Sequence, residues 1–93
     1  MAIVHVNKTV GTTATILTTL NSVTEYTAVS FQNNDSASIF IGDSSVSTSG
    51  ANKGHVITAG TTYQFWLRAN DAVYAISAAG TAANAVSVLY SQV

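Results

Sequence analysis

A chain of 93 residues with a net charge of −1, 8% charged and 47% hydrophobic side chains and no cysteine is one small domain without disulfides. Its three basic side chains, Lys8, Lys53 and Arg68, are too few for the phosphate contacts of nucleic-acid binding, and no apolar run approaches the roughly 20 residues of a membrane-spanning helix. The start, Met1-Ala-Ile-Val-His-Val-Asn-Lys8, lacks a basic segment followed by an apolar core, so the sequence predicts a soluble chain made without an export signal, with neither nucleic acid nor membrane as partner.

Charge is the informative quantity. A typical soluble domain is about a quarter charged; here Lys8, Glu25, Asp35, Asp43, Lys53, Arg68 and Asp71 are the whole complement. Hydroxyls and amides must solvate the remainder, which protects a free monomer poorly, because charge is the main barrier to patch-to-patch association. A domain of this size buries only about 60–65% of its unfolded surface. With disulfides excluded and no ligand pattern for a structural metal, oligomerisation is the remaining source of stability.

Val, Ile, Thr, Tyr and Phe fill the apolar segments, and Gly and Asn punctuate them at the spacing of a sandwich or barrel, which gives about eight strands. The first covers Ile3 to Val6, the second runs from Thr12 to Thr19, and the third, from Thr24 to Asn33, sets Thr27, Val29 and Phe31 on one face. Asn33-Asn34-Asp35-Ser36 is a turn by side-chain chemistry and leads into Ala37 to Gly42. The polar stretch from Asp43 to Gly54 reads as a loop, mobile or facing a partner. His55 to Thr58 and Thr61 to Arg68 flank a tight turn at Ala59-Gly60; Ala72 to Ser77 and Asn84 to Ser91 complete the set. The expected fold is all-β: a single antiparallel β-sandwich, jelly-roll-like, spanning 1–93.

Alternation assigns Val29, Phe31, Ile39, Ile41, Tyr63, Phe65, Leu67, Tyr74, Ile76, Val86 and Val88 to the core, and register then turns Phe40, Trp66 and Leu89 outward. Large aromatics on outward positions either pack under a loop or anchor a protein interface, where Trp and Phe are enriched. The candidate interface set is Phe40, Trp66, Arg68 and Leu89 with Asp43, Val46 and Lys53 of the polar loop.

Catalytic chemistry is hard to place. No Ser sits in a Gly-x-Ser-x-Gly elbow, only His5 and His55 are available as bases, and three of the four carboxylates lie in turn-like contexts that already explain an Asp. No EF-hand loop and no Cys/His zinc spacing occurs; a calcium held by loop carbonyls with Asp43 or Asp71 stays open. Asn7-Lys8-Thr9 and Asn34-Asp35-Ser36 fit a glycosylation pattern that chance supplies often. The expectation is a protein that is not an enzyme and has no cofactor.

Phe31-Gln-Asn-Asn-Asp-Ser-Ala-Ser-Ile-Phe-Ile-Gly42 carries a resemblance. A strand ending in a Gln-Asn-Asn turn, a short strand ending in Ile-Gly and a Ser/Thr-rich loop precede Thr58-Ala59-Gly60, Asp71-Ala-Val-Tyr-Ala-Ile76 and Gly80-Thr81-Ala82. In order and spacing, over roughly residues 12–92, this is similar to small virion proteins of tailed bacteriophages, the head-decoration (cement) proteins and fibre domains. Trp66-Leu-Arg68 and Gly50-Ala-Asn-Lys-Gly54 lie outside that pattern. The resemblance implies a jelly-roll sandwich, symmetric homo-oligomers (most often trimers), the major capsid protein as partner, and a place on the outer head of the virion after synthesis in the host cytoplasm. It implies a mechanical role, in which many copies bridge capsid subunits and multivalency multiplies modest contacts. A tail or fibre component that binds a host receptor is the alternative. A third reading is a module for surface glycans, with Trp66 and the tyrosines stacking on sugar rings.

Overall fold

The computed structural model describes residues 2–19, 27–68 and 70–92. Within them the alternating β-branched and aromatic segments form eight strands: β1 (Ala2–Lys8), β2 (Thr15–Thr19), β3 (Thr27–Asn33), β4 (Ile39–Gly42), β5 (His55–Ile57), β6 (Thr62–Leu67), β7 (Ala72–Ile76) and β8 (Val86–Gln92). They build two four-stranded sheets, in the orders β1-β8-β3-β6 and β2-β7-β4-β5, and every pairing between them is antiparallel. The pairs 4/5, 3/6, 2/7 and 1/8 are those of one long nested hairpin, sent alternately to the two sheets as it rolls up. That is the jelly-roll arrangement. The expected part of the third strand from Thr24 to Tyr26 lies outside the described residues.

The inner faces meet in one apolar cluster containing Leu17, Val29, Phe31, Ile39, Ile41, Ile57, Leu67, Val86 and Val88, with Val10 closing it from the loop after β1. Phe31 stacks on Phe65 with ring centroids 5.3 Å apart, a separation at which offset aromatic pairs attract. In β2 the register slips between Ile16 and Thr18. This bulge accompanies a buried Leu17 between partly exposed neighbours. Val10 is fastened by a reciprocal clasp: its N–H donates to Thr81 Oγ1 at 2.9 Å, and its carbonyl accepts from the Thr81 N–H at 2.8 Å.

Three core assignments from the sequence, Tyr74, Ile76 and Tyr63, are corrected. In β7 the buried residues are Val73 and Ala75, while Tyr74 and Ile76 take the other face. Ala72-Val-Tyr-Ala-Ile76 is apolar at every position, so alternation cannot choose a face, and size misleads. The cross-strand register decides: Tyr74 pairs with Ile16 and Gly42, and Ile76 with Phe40, which zips the larger side chains together outside. Tyr63 faces the inner side but is exposed, because β6 is an edge strand and β5, opposite it in the fold, is only three residues long.

One polar side chain belongs to the core. Asn33 is fully buried at the end of β3, where its Nδ2 donates to the carbonyls of Ala37 at 2.8 Å and Ile57 at 2.9 Å. Its Oδ1 accepts from the Asp35 N–H at 3.0 Å. Its backbone N–H donates to Thr61 and its carbonyl accepts from Gly60. The second turn needs its glycine: Thr61 N–H closes onto the Thr58 carbonyl at 3.2 Å with Gly60 at φ +76°, a left-handed position that favours Gly. Asp35 extends the same joint, accepting from the N–H of Ala82 at 3.0 Å and of Ala37 at 3.2 Å.

Replacing Asn33 by Asp keeps the shape but puts one carboxylate oxygen where Nδ2 donated twice, facing the carbonyls of Ala37 and Ile57. The expected loss is about 3 kcal/mol or more, since each orphaned buried group costs about 1–3 kcal/mol, read from urea unfolding; an unchanged midpoint would remove Asn33 from this role. The β7 assignment is checked in the same assay. Ala75→Leu should cost about 1–3 kcal/mol by overpacking, and Ile76→Thr less than about 1 kcal/mol, as an outward position; the reverse ranking would put Ile76 back inside.

Candidate binding faces

The seven interface candidates separate onto different parts of the molecule. Trp66 on β6 and Leu89 on β8 stand on the outer face of the β1-β8-β3-β6 sheet, 64% and 46% exposed. Phe40 is half-buried on the outer face of the other sheet, with Lys53 Nζ 5.9 Å from its ring centroid, within cation–π range. Asp43 and Lys53 are exposed in the loop after β4, and Arg68 is exposed after β6.

Val46 is a correction. It is 6% exposed and turned under its own loop, so it is not available as a contact. The polar stretch from Asp43 to Gly54 is held by bonds within the loop. Ser47 N–H donates to Asn52 at 2.9 Å, Gly54 N–H to Ser47 at 3.0 Å and Val46 N–H to Asp43 at 3.1 Å, and Gly50–Asn52 form a single 3-10 turn. The close approach is made at Gly54, where a Cβ would lie 2.5 Å from Val46 Cγ2 and 2.6 Å from the Ile41 carbonyl oxygen. A lone Val among serines gives no periodicity to reveal such a plug.

The corrected register of β7 exposes a surface that the sequence reading missed. On the outer face of β2-β7-β4-β5, Val56 pairs with Phe40 and Phe40 with Ile76 in one row. Tyr74 lies between Ile16 and Gly42 in the next. Every strand of the sheet thus contributes an apolar residue to this face, and Ile16 and Val56 are exposed. The available signal was the unbroken apolar run of β7 itself, since a strand apolar on both sides is covered on both sides.

Between the sheets, on the β5/β6 side, lies an open groove of about 420 Å³ whose lining includes Asp43, His55, Tyr63, Phe65, Leu67 and Asp71. His55 packs on Tyr63 at 4.4 Å and Tyr63 on Phe65 at 5.5 Å between centroids. The two carboxylates are engaged in local bonds: Asp43 Oδ1 accepts from Ser45 Oγ at 2.8 Å and Ser45 N–H at 3.0 Å, and Asp71 Oδ2 accepts from the Arg68 N–H at 2.7 Å. His5 is far from this groove, on β1 opposite Leu89. Among the described residues no group of three or more His, Asp or Glu is placed to hold a metal ion. Among the described residues, these contacts bring together no nucleophile, base and orienting group.

No protein-family model, curated protein or solved structure matches the chain.

The turn carboxylates give the fold an acid limit. Hydrogen bonds from Ala82 hold Asp35 below its ordinary 3.8, and those from the Ser45 side chain and backbone do the same for Asp43. A depressed carboxylate contributes stability that is complete above its ordinary pKa and is lost as pH falls through the lower folded value. Thermal unfolding should therefore be flat near neutrality and fall in temperature below about pH 4. Asp35→Asn should reduce that slope; an identical slope would mean that these bonds do not stabilise the fold.

Proposed function

We propose that the chain is a non-catalytic structural protein of a tailed-phage virion, a capsid decoration protein that attaches to the outer head shell and reinforces subunit junctions. The observation that carries this reading is the outer face of β2-β7-β4-β5: Ile16, Phe40, Val56, Tyr74 and Ile76 across four strands, on a molecule with very little charge to keep such a face in solution. Contiguous apolar faces of this kind mark association surfaces. Order and spacing of the turn motifs, as in the small virion proteins that the sequence resembles, supply the class of partner.

Self-association has its own support. β1 is a seven-residue edge strand whose exposed residues include Ile3, and the chain contains no Pro. Apart from Lys8 at its end, such an edge lacks a charge or Pro to guard against pairing with another chain, so homo-oligomers, trimers by the resemblance, would form along strand edges and leave the sheet face for the shell. Each contact can be modest, because copies held together raise one another's effective concentration at the shell. Attachment built from apolar area and neutral hydrogen bonds would change little with salt.

Purified protein mixed with mature, empty phage heads should cosediment with them, and light scattering of the free protein should give a mass above that of the monomer. Phe40→Asp and Ile76→Asp should each reduce shell binding more than about tenfold, the equivalent of about 1.4 kcal/mol, with the β-sheet circular dichroism retained. Folded variants that bind shells as well as the parent, or a parent that ignores shells and binds cells, would overturn the decoration reading.

A further inference from the structure

The opposite sheet carries a surface of different chemistry. On the outer face of β1-β8-β3-β6 the register lays His5, Leu89, Ser30 and Gln64 in one row across all four strands. Asn7, Ser87, Gln32 and Thr62 form the row beside it. A third row runs from Ile3 opposite Ser91 to Ala28 opposite Trp66. Strand spacing makes each row about 14 Å wide, and rows are about 7 Å apart. Between β1 and β6 the face sinks into a depression of about 310 Å³ lined by His5, Ser30, Gln32, Thr62, Ser87 and Leu89.

We propose that this face is a binding site for a neutral oligosaccharide, independent of whether the protein attaches to a shell. None of the twelve positions in the three rows is Asp, Glu, Lys or Arg. Amides, hydroxyls and an imidazole fill the depression, and each of these groups can both donate and accept. That is the complement of a ligand whose own groups are hydroxyls. Part of the set is already aligned: Asn34 Nδ2 donates to Ser87 Oγ at 3.1 Å, and Ser87 Oγ donates to Asn7 Oδ1 at 2.9 Å. Trp66, on the edge strand two residues along from Gln64, offers an exposed indole to the apolar face of a sugar ring, while Leu89 forms an apolar spot in the floor.

Other ligand classes fit less well. A phosphate or nucleic-acid ligand would find no cation, and an apolar ligand would strand the amides and hydroxyls of the floor unpaired. A protein partner would need a contiguous dry apolar centre, and here Leu89 is a single apolar spot among His5, Ser30, Gln32, Thr62 and Ser87, while Ile3 and Trp66 sit at opposite ends of one row.

Trp66 is the chain's single tryptophan, so its fluorescence reports on this face alone. An array of neutral and acidic oligosaccharides, followed by fluorescence titration of the bound ones, tests the site in the full chain. The expected result is saturable binding of neutral oligosaccharides with a blue shift of Trp66 emission, unchanged from low salt to about 0.5 M. Gln32→Ala should weaken binding about tenfold and Trp66→Ala, followed by calorimetry, about tenfold or more; both are surface changes that should leave the unfolding temperature in place. The proposal is overturned if no neutral oligosaccharide binds, if only acidic ones do, or if both variants bind as the parent does. Emission already blue-shifted in the ligand-free oligomer would assign the face to contact between copies and overturn it equally. Shell cosedimentation is a separate measurement, so either reading can fail alone.

Discussion

Asn33 ties together, with one buried amide and its own backbone, polar groups from three chain segments. It reaches the turn after β3 through Ala37, the end of β5 through Ile57, and the β5–β6 turn through Gly60 and Thr61. β3 belongs to one sheet and β5 to the other, so the joint fixes where the inner part of the nested hairpin crosses between layers. A buried polar network is stabilising only when every member is satisfied, and the Asn33 side chain has both donors and its acceptor oxygen in use. The outward surfaces depend on this joint, because a shift of one residue in a strand would send its apolar set to the opposite side.

With the register held, the two outer faces acquire opposite characters from ordinary alternation. In β4 and β7 the outward positions are Phe40, Tyr74 and Ile76; in β3, β6 and β8 they include Ser30, Gln32, Gln64 and Ser87. One sheet therefore presents a contiguous apolar area and the other presents hydroxyls and amides around the separate apolar side chains Ile3, Trp66 and Leu89. A molecule with such faces gains by being covered on one side and wetted on the other. The proposed attachment to a shell through the first, and the proposed contact with a hydroxylated polymer through the second, would place both faces in the media that suit them.

Much of this was legible from residue order. The eight segments are found within a few residues of their expected ends, and the Asn33-Asn-Asp-Ser36 and Ala59-Gly60 turns form as their side chains dictate, because turn chemistry is local. The outward positions of Trp66, Leu89 and Phe40 followed from alternation in mixed strands. What escaped was set by distant partners. Both faces of β7 are apolar, so only pairing with Phe40 and Ile16 shows which side is inside. Val10, Leu17 and Val46 are buried by a clasp, a bulge and a loop, none of which leaves a period in the sequence. The split of the candidate interface residues onto separate faces likewise depends on sheet order, which no short-range pattern encodes.

The central claim is that this molecule works by being held, through an apolar sheet face, in a larger assembly. A reconstruction of the virion at a resolution that shows β-strands tests it most directly. The account predicts copies on the outer head with β2-β7-β4-β5 against the shell and β1-β8-β3-β6 turned to solvent. Copies absent from the head, or seated with Phe40 and Ile76 in open solvent, would contradict it.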